Sequence, residues 1–126
     1  MVDLSICIPT YNRSYYLDNC LNSIKLAIEE TDLNVEVCIS DNFSEEKIDR
    51  IIKKYMKHFK IIFNKNSRNY GMGKNILKAV SMASGKFCWL LGNDDLLLPS
   101  SLKKISELFK SYKDVDFYYI NSFQFF

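Results

Sequence analysis

The 126-residue sequence is 48% hydrophobic and 25% charged, which suits a single globular domain, residues 1–126, with one core. Its 17 basic and 15 acidic residues leave a net charge of +2, too balanced for a protein whose affinity rests on neutralising many phosphates, so no nucleic acid partner is expected. No run approaches the roughly 18 apolar residues of a membrane-spanning helix, and the start, Met-Val-Asp-Leu-Ser-Ile, lacks a secretory pattern. The expected location is cytoplasmic, with any membrane association left to residues outside this sequence.

Apolar runs of strand length recur at Leu4 to Ile8, Val35 to Ile39, Lys60 to Phe63, Phe87 to Leu91 and Phe117 to Ile120. Helical periodicity fills the intervals. Leu17, Cys20, Leu21, Ile24 and Ile28 form a first stripe, and Ile48, Ile51, Ile52, Tyr55, Met56 and Phe59 a second, with Lys53, Lys54, Lys57 and Lys60 on its solvated side. A third helix, around Ile76, Leu77, Val80 and Ala83, ends at Gly85 as a C-terminal glycine. A fourth starts near Pro99 and continues through Leu102, Ile105, Leu108, Phe109 and Tyr112. Strict alternation of strand and helix predicts an α/β fold, a mostly parallel sheet with helices on both faces.

The last segment, Phe117 to Phe126, is dense in aromatics and ends without a polar tail. Such an end invites association, so the chain is expected to be a truncated part of a longer protein or to self-associate there. The four cysteines, Cys7, Cys20, Cys38 and Cys88, form no Cys-x-x-Cys pair and do not cluster with the single His58, so no zinc site is expected. Cys7, Cys38 and Cys88 fall in predicted buried strands as small apolar residues, a pattern that suits a reducing compartment.

Four polar loops follow the strands, and in an open α/β sheet ligands bind outside the carboxyl ends of the strands. Pro9-Thr10-Tyr11-Asn12-Arg13 offers a stiff exit, a ring face for stacking a base and a planar cation for phosphate. Ser40-Asp41-Asn42-Phe43-Ser44 presents Asp41, able to accept hydrogen bonds from a base edge, and Ser44, read as the cap of the next helix ahead of Glu45 and Glu46. Asn64 to Asn75 carries Arg68, Gly71, Gly73 and Lys74, a weak signal for an anion site. Asp94 and Asp95 end the fourth strand, and two adjacent carboxylates are a natural seat for a hard divalent cation.

Together these segments resemble family 2 of the inverting glycosyltransferases, which have the GT-A fold. The residues are Ser5 to Arg13, Ile39 to Ser44, Asn69-Tyr70-Gly71 with Asn75, and Leu90-Leu91-Gly92-Asn93-Asp94-Asp95 followed by Pro99. The resemblance implies a transferase moving a sugar from a nucleotide-diphosphate donor to a glycan or lipid-linked acceptor, as in polysaccharide biosynthesis. It further implies that Pro9 and Tyr11 flank the base, that Asp41 meets its edge and that Arg68 contacts the base or the phosphates, with Thr10, Arg13 and Lys74 also in the donor site. By the same likeness Asp94 faces the ribose and the metal, Asp95 is the direct ligand of Mn²⁺ or Mg²⁺, and Asn93 belongs to the donor site.

The sequence departs from the family at Gly92, where an acid often stands two positions before the residue matched by Asp94. The base that deprotonates the acceptor is expected outside this chain, since Asp114 and Asp116 lie beyond the last helix. A non-catalytic nucleotide-binding or scaffold domain is the competing reading. A dinucleotide-dependent oxidoreductase would need a glycine-rich turn after the first strand, where Pro-Thr-Tyr-Asn stands.

Overall fold

The computed structural model describes residues 1–124. Four strands, β1 (Leu4–Thr10), β2 (Val35–Asp41), β3 (Lys60–Lys65) and β4 (Phe87–Leu90), form one sheet in the order β3-β2-β1-β4. Every pairing is parallel, with Cys7 opposite Cys38 on one side and Leu90 on the other. Helices α1 (Ser14–Ile28), α2 (Asp49–Tyr55) and α3 (Met72–Ser81) connect the strands, and α4 (Ser101–Ser111) follows β4.

Alternation along the strands sorts the two faces. Leu4, Ile6, Ile8, Val37 and Ile39 meet Leu17, Leu21 and Ile24 of α1, Ile52 and Tyr55 of α2, and Leu102 and Ile105 of α4 in the main core. Cys7 and Cys38 face the other way and pack on Ala79 of α3. Helices therefore cover both faces, as the alternation predicts.

Pro9 shapes the sheet. Cys7 accepts the N–H of Leu91 at 2.9 Å, the last rung between β1 and β4. The next donor on that side of β1 would be residue 9, and proline has no N–H to offer. Pairing with β4 stops there, while β1 stays paired with β2 through Thr10 and Asp41. The chain after β4 is thereby freed to turn away from the sheet.

Several expectations need correction. Residues 117–120 form no strand; Tyr118 packs on Phe87 and Phe109, with ring centroids 5.4 Å from each, while Phe117, Tyr119 and Phe123 stay exposed. Phe125 and Phe126, part of the proposed self-association segment, lie outside the described residues. The third helix buries Asn75 and Ala79, while Leu77 and Val80 are exposed. Gly85 lies beyond the end of that helix and is needed for close approach, since a β-carbon there would sit 2.7 Å from the Ser5 nitrogen. Met56 is exposed because α2 ends before it, and Cys88 is exposed because β4 is an edge strand. Lys60 belongs to β3, not to a helix face, and its ammonium meets Glu36 at 2.8 Å.

Glu36 is fully buried near the amino end of β2. One of its oxygens accepts from the Ser5 hydroxyl at 2.7 Å and from both the N–H and the hydroxyl of Ser84 at 2.8 Å. Burial pushes its carboxyl up, but these bonds and Lys60 outweigh burial and hold it at about 2. The network pins the α3–β4 connection to the sheet at the end opposite the polar loops.

Candidate functional site at the carboxyl ends of the strands

The strand order reverses at β1: β2 and β3 lie to one side, and the crossover through α3 on the opposite face brings β4 to the other, so the topological switch point lies between the loops that leave β1 and β4. Two contacts bridge it. The buried Asn93 amide donates to the Thr10 hydroxyl at 2.8 Å, and the Arg13 guanidinium pairs with Asp94 at 3.2 Å. Thr10 is buried, whereas Tyr11, Arg13 and Asp94 are exposed and Pro9 sits half-buried at the rim.

The loops after β1 and β2 are stitched together. Asn12 adopts φ 49°, a left-handed conformation that asparagine tolerates, and this turns its N–H onto the Ser44 hydroxyl at 2.8 Å. Its side-chain oxygen accepts the Glu45 N–H at 2.8 Å. The Glu46 carboxylate accepts the N–H of Ser14 at 2.8 Å, placing negative charge at the positive end of α1. This corrects the expectation that Ser44, Glu45 and Glu46 cap the second helix: α2 begins only at Asp49. That Ser14 bond holds the Glu46 carboxyl below its ordinary value.

Asp41 is fully buried and is engaged by its own loop. The Ser44 hydroxyl donates a short hydrogen bond to it, and the Ser44 N–H lies 3.3 Å from both carboxylate oxygens. A base edge reaching Asp41 would have to take the place of that hydroxyl.

The loop after β3 rests on an asparagine lattice that no single motif announced. Asn66 donates to Asn42 and to Asn75, each at 3.0 Å, and Asn42 donates to Asn69 at 2.9 Å. Asn69 in turn accepts the N–H of Gly71 at 2.8 Å, where φ is 88° and α3 begins. Arg68 lies on the exposed rim, its guanidinium carbon 4.8 Å from the centroid of the Tyr70 ring, and Lys74 is exposed in the first turn of α3. The visible signal was the density of asparagine between Asn64 and Asn75.

Asp94 and Asp95 are both exposed beside the switch point. The Asp95 carboxylate accepts the N–H of Gly92 at 3.1 Å, closing a tight turn. Cys20 lies beneath it, its thiol 3.8 Å from the Gly92 carbonyl oxygen. Burial, and then the charges of Asp95 and Asp94, push that thiol up to about 12, so it is no nucleophile at neutral pH. Among the described residues no group of three or more His, Cys, Asp or Glu is arranged to hold a metal ion. Asp114 and Asp116 line a separate hollow of about 540 Å³ with Lys86 and Cys88, at the amino end of β4 and away from these loops.

Fold and loops define a parallel α/β domain whose polar loops gather over the carboxyl ends of its strands. The family model described as glycosyl transferase family 2 matches residues 5–123, and the chain belongs to that family. The abequosyltransferase RfbV of Salmonella typhimurium is 41% identical over 114 residues, covering 89% of this chain and 34% of that protein. A chondroitin synthase of Escherichia coli is 32% identical over 108 residues, covering 85% of this chain and 15% of that one. The chain thus spans about a third of the length of the first of these relatives.

Among solved structures, residues 1–349 of TarS from S. aureus, in complex with UDP-GlcNAc, align with a TM-score of 0.79 at 25% identity. That alignment covers 89% of this chain and 32% of TarS 1–349. A mannosyltransferase of Pyrobaculum calidifontis, in complex with GDP-Man and Mn²⁺, shares the fold with a TM-score of 0.69 at 17% identity, covering 84% of this chain and 32% of that one.

Proposed function

We propose that residues 1–126 are the donor-binding part of a glycosyltransferase that moves a sugar from a nucleoside-diphosphate carrier to a glycan or lipid-linked acceptor with inversion. The observation that carries the reading is the bridged crevice, where Thr10 and Asn93, and Arg13 and Asp94, meet across the switch point. Membership of glycosyl transferase family 2 and the UDP-GlcNAc bound by TarS support a nucleotide-sugar as the ligand.

In this reading Tyr11 and Pro9 flank the base, Arg68 approaches it from the facing loop, and Asp41 meets its edge once the Ser44 hydroxyl yields. Arg13 and Lys74 supply positive charge for the diphosphate. Thr10 and Asn93 are buried against each other and set the distance between the two loops, which leaves Asp94 for the ribose.

The acid pair fits Mn²⁺ or Mg²⁺: both carboxylates are exposed hard oxygen donors, and such ions are commonly held by one or two carboxylates plus substrate phosphates. Asp95 and Asp94 would hold the ion, which stabilises charge on the departing diphosphate when bound. The chain's own contribution is to release Asp94 from Arg13 and Asp95 from the Gly92 N–H as the donor arrives. The base that deprotonates the acceptor is assigned to none of the residues described here. A cytoplasmic site of action goes with this reading, because nucleotide sugars are made there.

The test is thermal unfolding against uridine, guanosine and thymidine diphosphates and their sugar conjugates, with and without Mn²⁺. A ligand at about a hundred times its dissociation constant stabilises by about 2.7 kcal/mol, a shift of several degrees for a domain of this size. A shift for one nucleotide that requires the metal is the expected result. A metal-independent shift favours the second reading, a nucleotide-binding module without transfer, to which Gly92 in place of an acid also points.

A further inference from the structure

The Asn75 side chain reaches the exits of both central strands and the loop after β3. It is 3% exposed, in the first turn of α3. Its amide nitrogen donates to the Ser40 carbonyl at 2.9 Å and reaches the Thr10 carbonyl at 3.5 Å. Its oxygen accepts from the Ser40 hydroxyl at 2.8 Å and from the Asn66 amide at 3.0 Å. Two donors and two acceptor sites are all that a carboxamide offers, so the group is saturated. No aliphatic residue could serve the same four partners, and a carboxylate would turn two of the bonds into repulsions.

What hangs from Asn75 is the wall that faces the first loop. Asn66 carries the connection on to Asn42, whose oxygen also accepts the Tyr70 N–H at 3.0 Å, and the Asn66 N–H donates to the Asp41 carbonyl at 2.8 Å. Tyr70 and the stacked Arg68 are therefore located, through backbone and amide bonds, relative to Thr10 and Asp41. A loop rich in polar residues has no apolar anchor of its own and takes its shape from such bonds.

We propose that Asn75 is a positioning residue for nucleotide recognition: by fixing the loop 66–71 against the ends of β1 and β2 it sets the width of the base slot and so the choice among nucleobases. This rests on the donor-site reading above. Asn75 touches no ligand in this scheme and acts through Asn66 and Asn42.

The experiment compares wild type with Asn75→Asp and Asn75→Ala. Asn75→Asp keeps both acceptor functions and loses both donors. Tyr55→Phe, a destabilised variant remote from the loops, is the control. Two readouts are taken: amide hydrogen exchange of residues 66–71, and dissociation constants for uridine, guanosine and thymidine diphosphates with Mn²⁺, well below each variant's Tm. The Asn75 variants should speed exchange in 66–71 beyond the control, weaken the preferred nucleotide by about five- to tenfold, and collapse its preference over the others toward one. If both Asn75 variants fail to fold, Asn42→Ala, which cuts the same connection one step later, replaces them. Unchanged exchange in 66–71, or an unchanged preference ratio despite a lowered Tm, overturns the proposal. A wild type that binds no nucleoside diphosphate overturns the donor reading instead, and the exchange data still decide whether Asn75 sets the loop.

Discussion

The N–H of Gly92 donates to the Asp95 carboxylate at 3.1 Å, and a β-carbon on Gly92 would come within 2.8 Å of that same oxygen. Glycine at this position lets the second acid of the pair fold back onto its own turn. An acid at residue 92 could coexist with Asp95 only if the latter swung outward.

Gly92→Asp should therefore displace Asp95 from the turn and add a carboxylate to the cluster. Affinity for hard cations follows ligand charge, so nucleotide-free Mn²⁺ binding is expected to tighten by about tenfold. Manganese titration followed by electron paramagnetic resonance would register it. Equal Mn²⁺ affinity in the two proteins would show that these acids do not form a cation site.

Asp95→Ala should remove metal-dependent nucleotide binding while the fold survives, because the side chain is exposed beyond the end of β4. Exposed substitutions generally stay within about 0.5 kcal/mol of neutral, which predicts a Tm within a few degrees of wild type. The loss of a ligand should exceed the roughly 10–100-fold typical of losing an outer-shell partner. Calorimetric titration of nucleotide with and without Mn²⁺ separates the two effects, and a preserved metal requirement would remove Asp95 from the site.

Asp41 and Ser44 give opposite expectations. Asp41→Ala leaves the Ser44 N–H without its acceptor in a buried setting and should cost about 1–3 kcal/mol, besides blurring discrimination between uridine and guanosine diphosphates. Ser44→Ala keeps the carboxylate and removes the hydroxyl that occupies it, but leaves the Asn12 N–H without its acceptor, so stability should fall by about 1 kcal/mol while base preference is retained. Intact discrimination in Asp41→Ala would mean that the base is read elsewhere.

Glu36→Gln tests the network at the far end of the sheet. The Glu36 carboxyl sits at about 2 against an ordinary 4.5, so the folded state binds its proton later than the unfolded chain. Its contribution is complete above pH about 4.5 and is lost as the pH falls toward about 2. At neutral pH the variant should lose about 1–3 kcal/mol, the range for hydrogen bonds to a charged group, and the gap in Tm should close across that acid window. A gap that stays constant with pH would argue that the bonds, not the charge, carry the stabilisation.

Tyr55→Phe probes the α1–α2 contact. The Tyr55 hydroxyl lies 2.7 Å from the Asp18 carboxylate and 3.0 Å from the Asp18 carbonyl oxygen, and the ring is buried. Asp18 keeps Lys54 at 3.0 Å, so the variant orphans no charge and should cost about 1 kcal/mol. Chemical denaturation would show the loss as a lower midpoint at unchanged slope.

Elements with strong periodicity were legible in the sequence; contacts between loops were not. The four strands and the alternation with helices follow from apolar runs, and the strand-end motifs located Thr10, Asp41 and Asp94 correctly at one edge of the sheet. Phe117 to Ile120 imitates a strand because aromatics favour both strands and packing faces, and only the fold reveals that Phe87 and Phe109 claim Tyr118. The third helix buries a different face from the one its hydropathy suggests: Leu77 and Val80 outscore Asn75, yet the carboxamide has buried carbonyls to satisfy. Glu46 looked like the first turn of the nearest helix, whereas it serves α1 across 32 residues of sequence. Pairings of that kind depend on which strands become neighbours, and local pattern carries no record of it.

The four site loops leave four different strands, at residues 9–13, 41–44, 64–71 and 92–95, and they are bonded to one another, the first to the second and the fourth and the second to the third. A molecule gripped by all four would slow only those openings that separate the strands, so its signature in hydrogen exchange should appear deep in the β1 and β2 amides as well as at the rim. Occupancy would then report on the integrity of the whole sheet, and a fragment lacking any one strand would be blind to the ligand rather than weakened toward it.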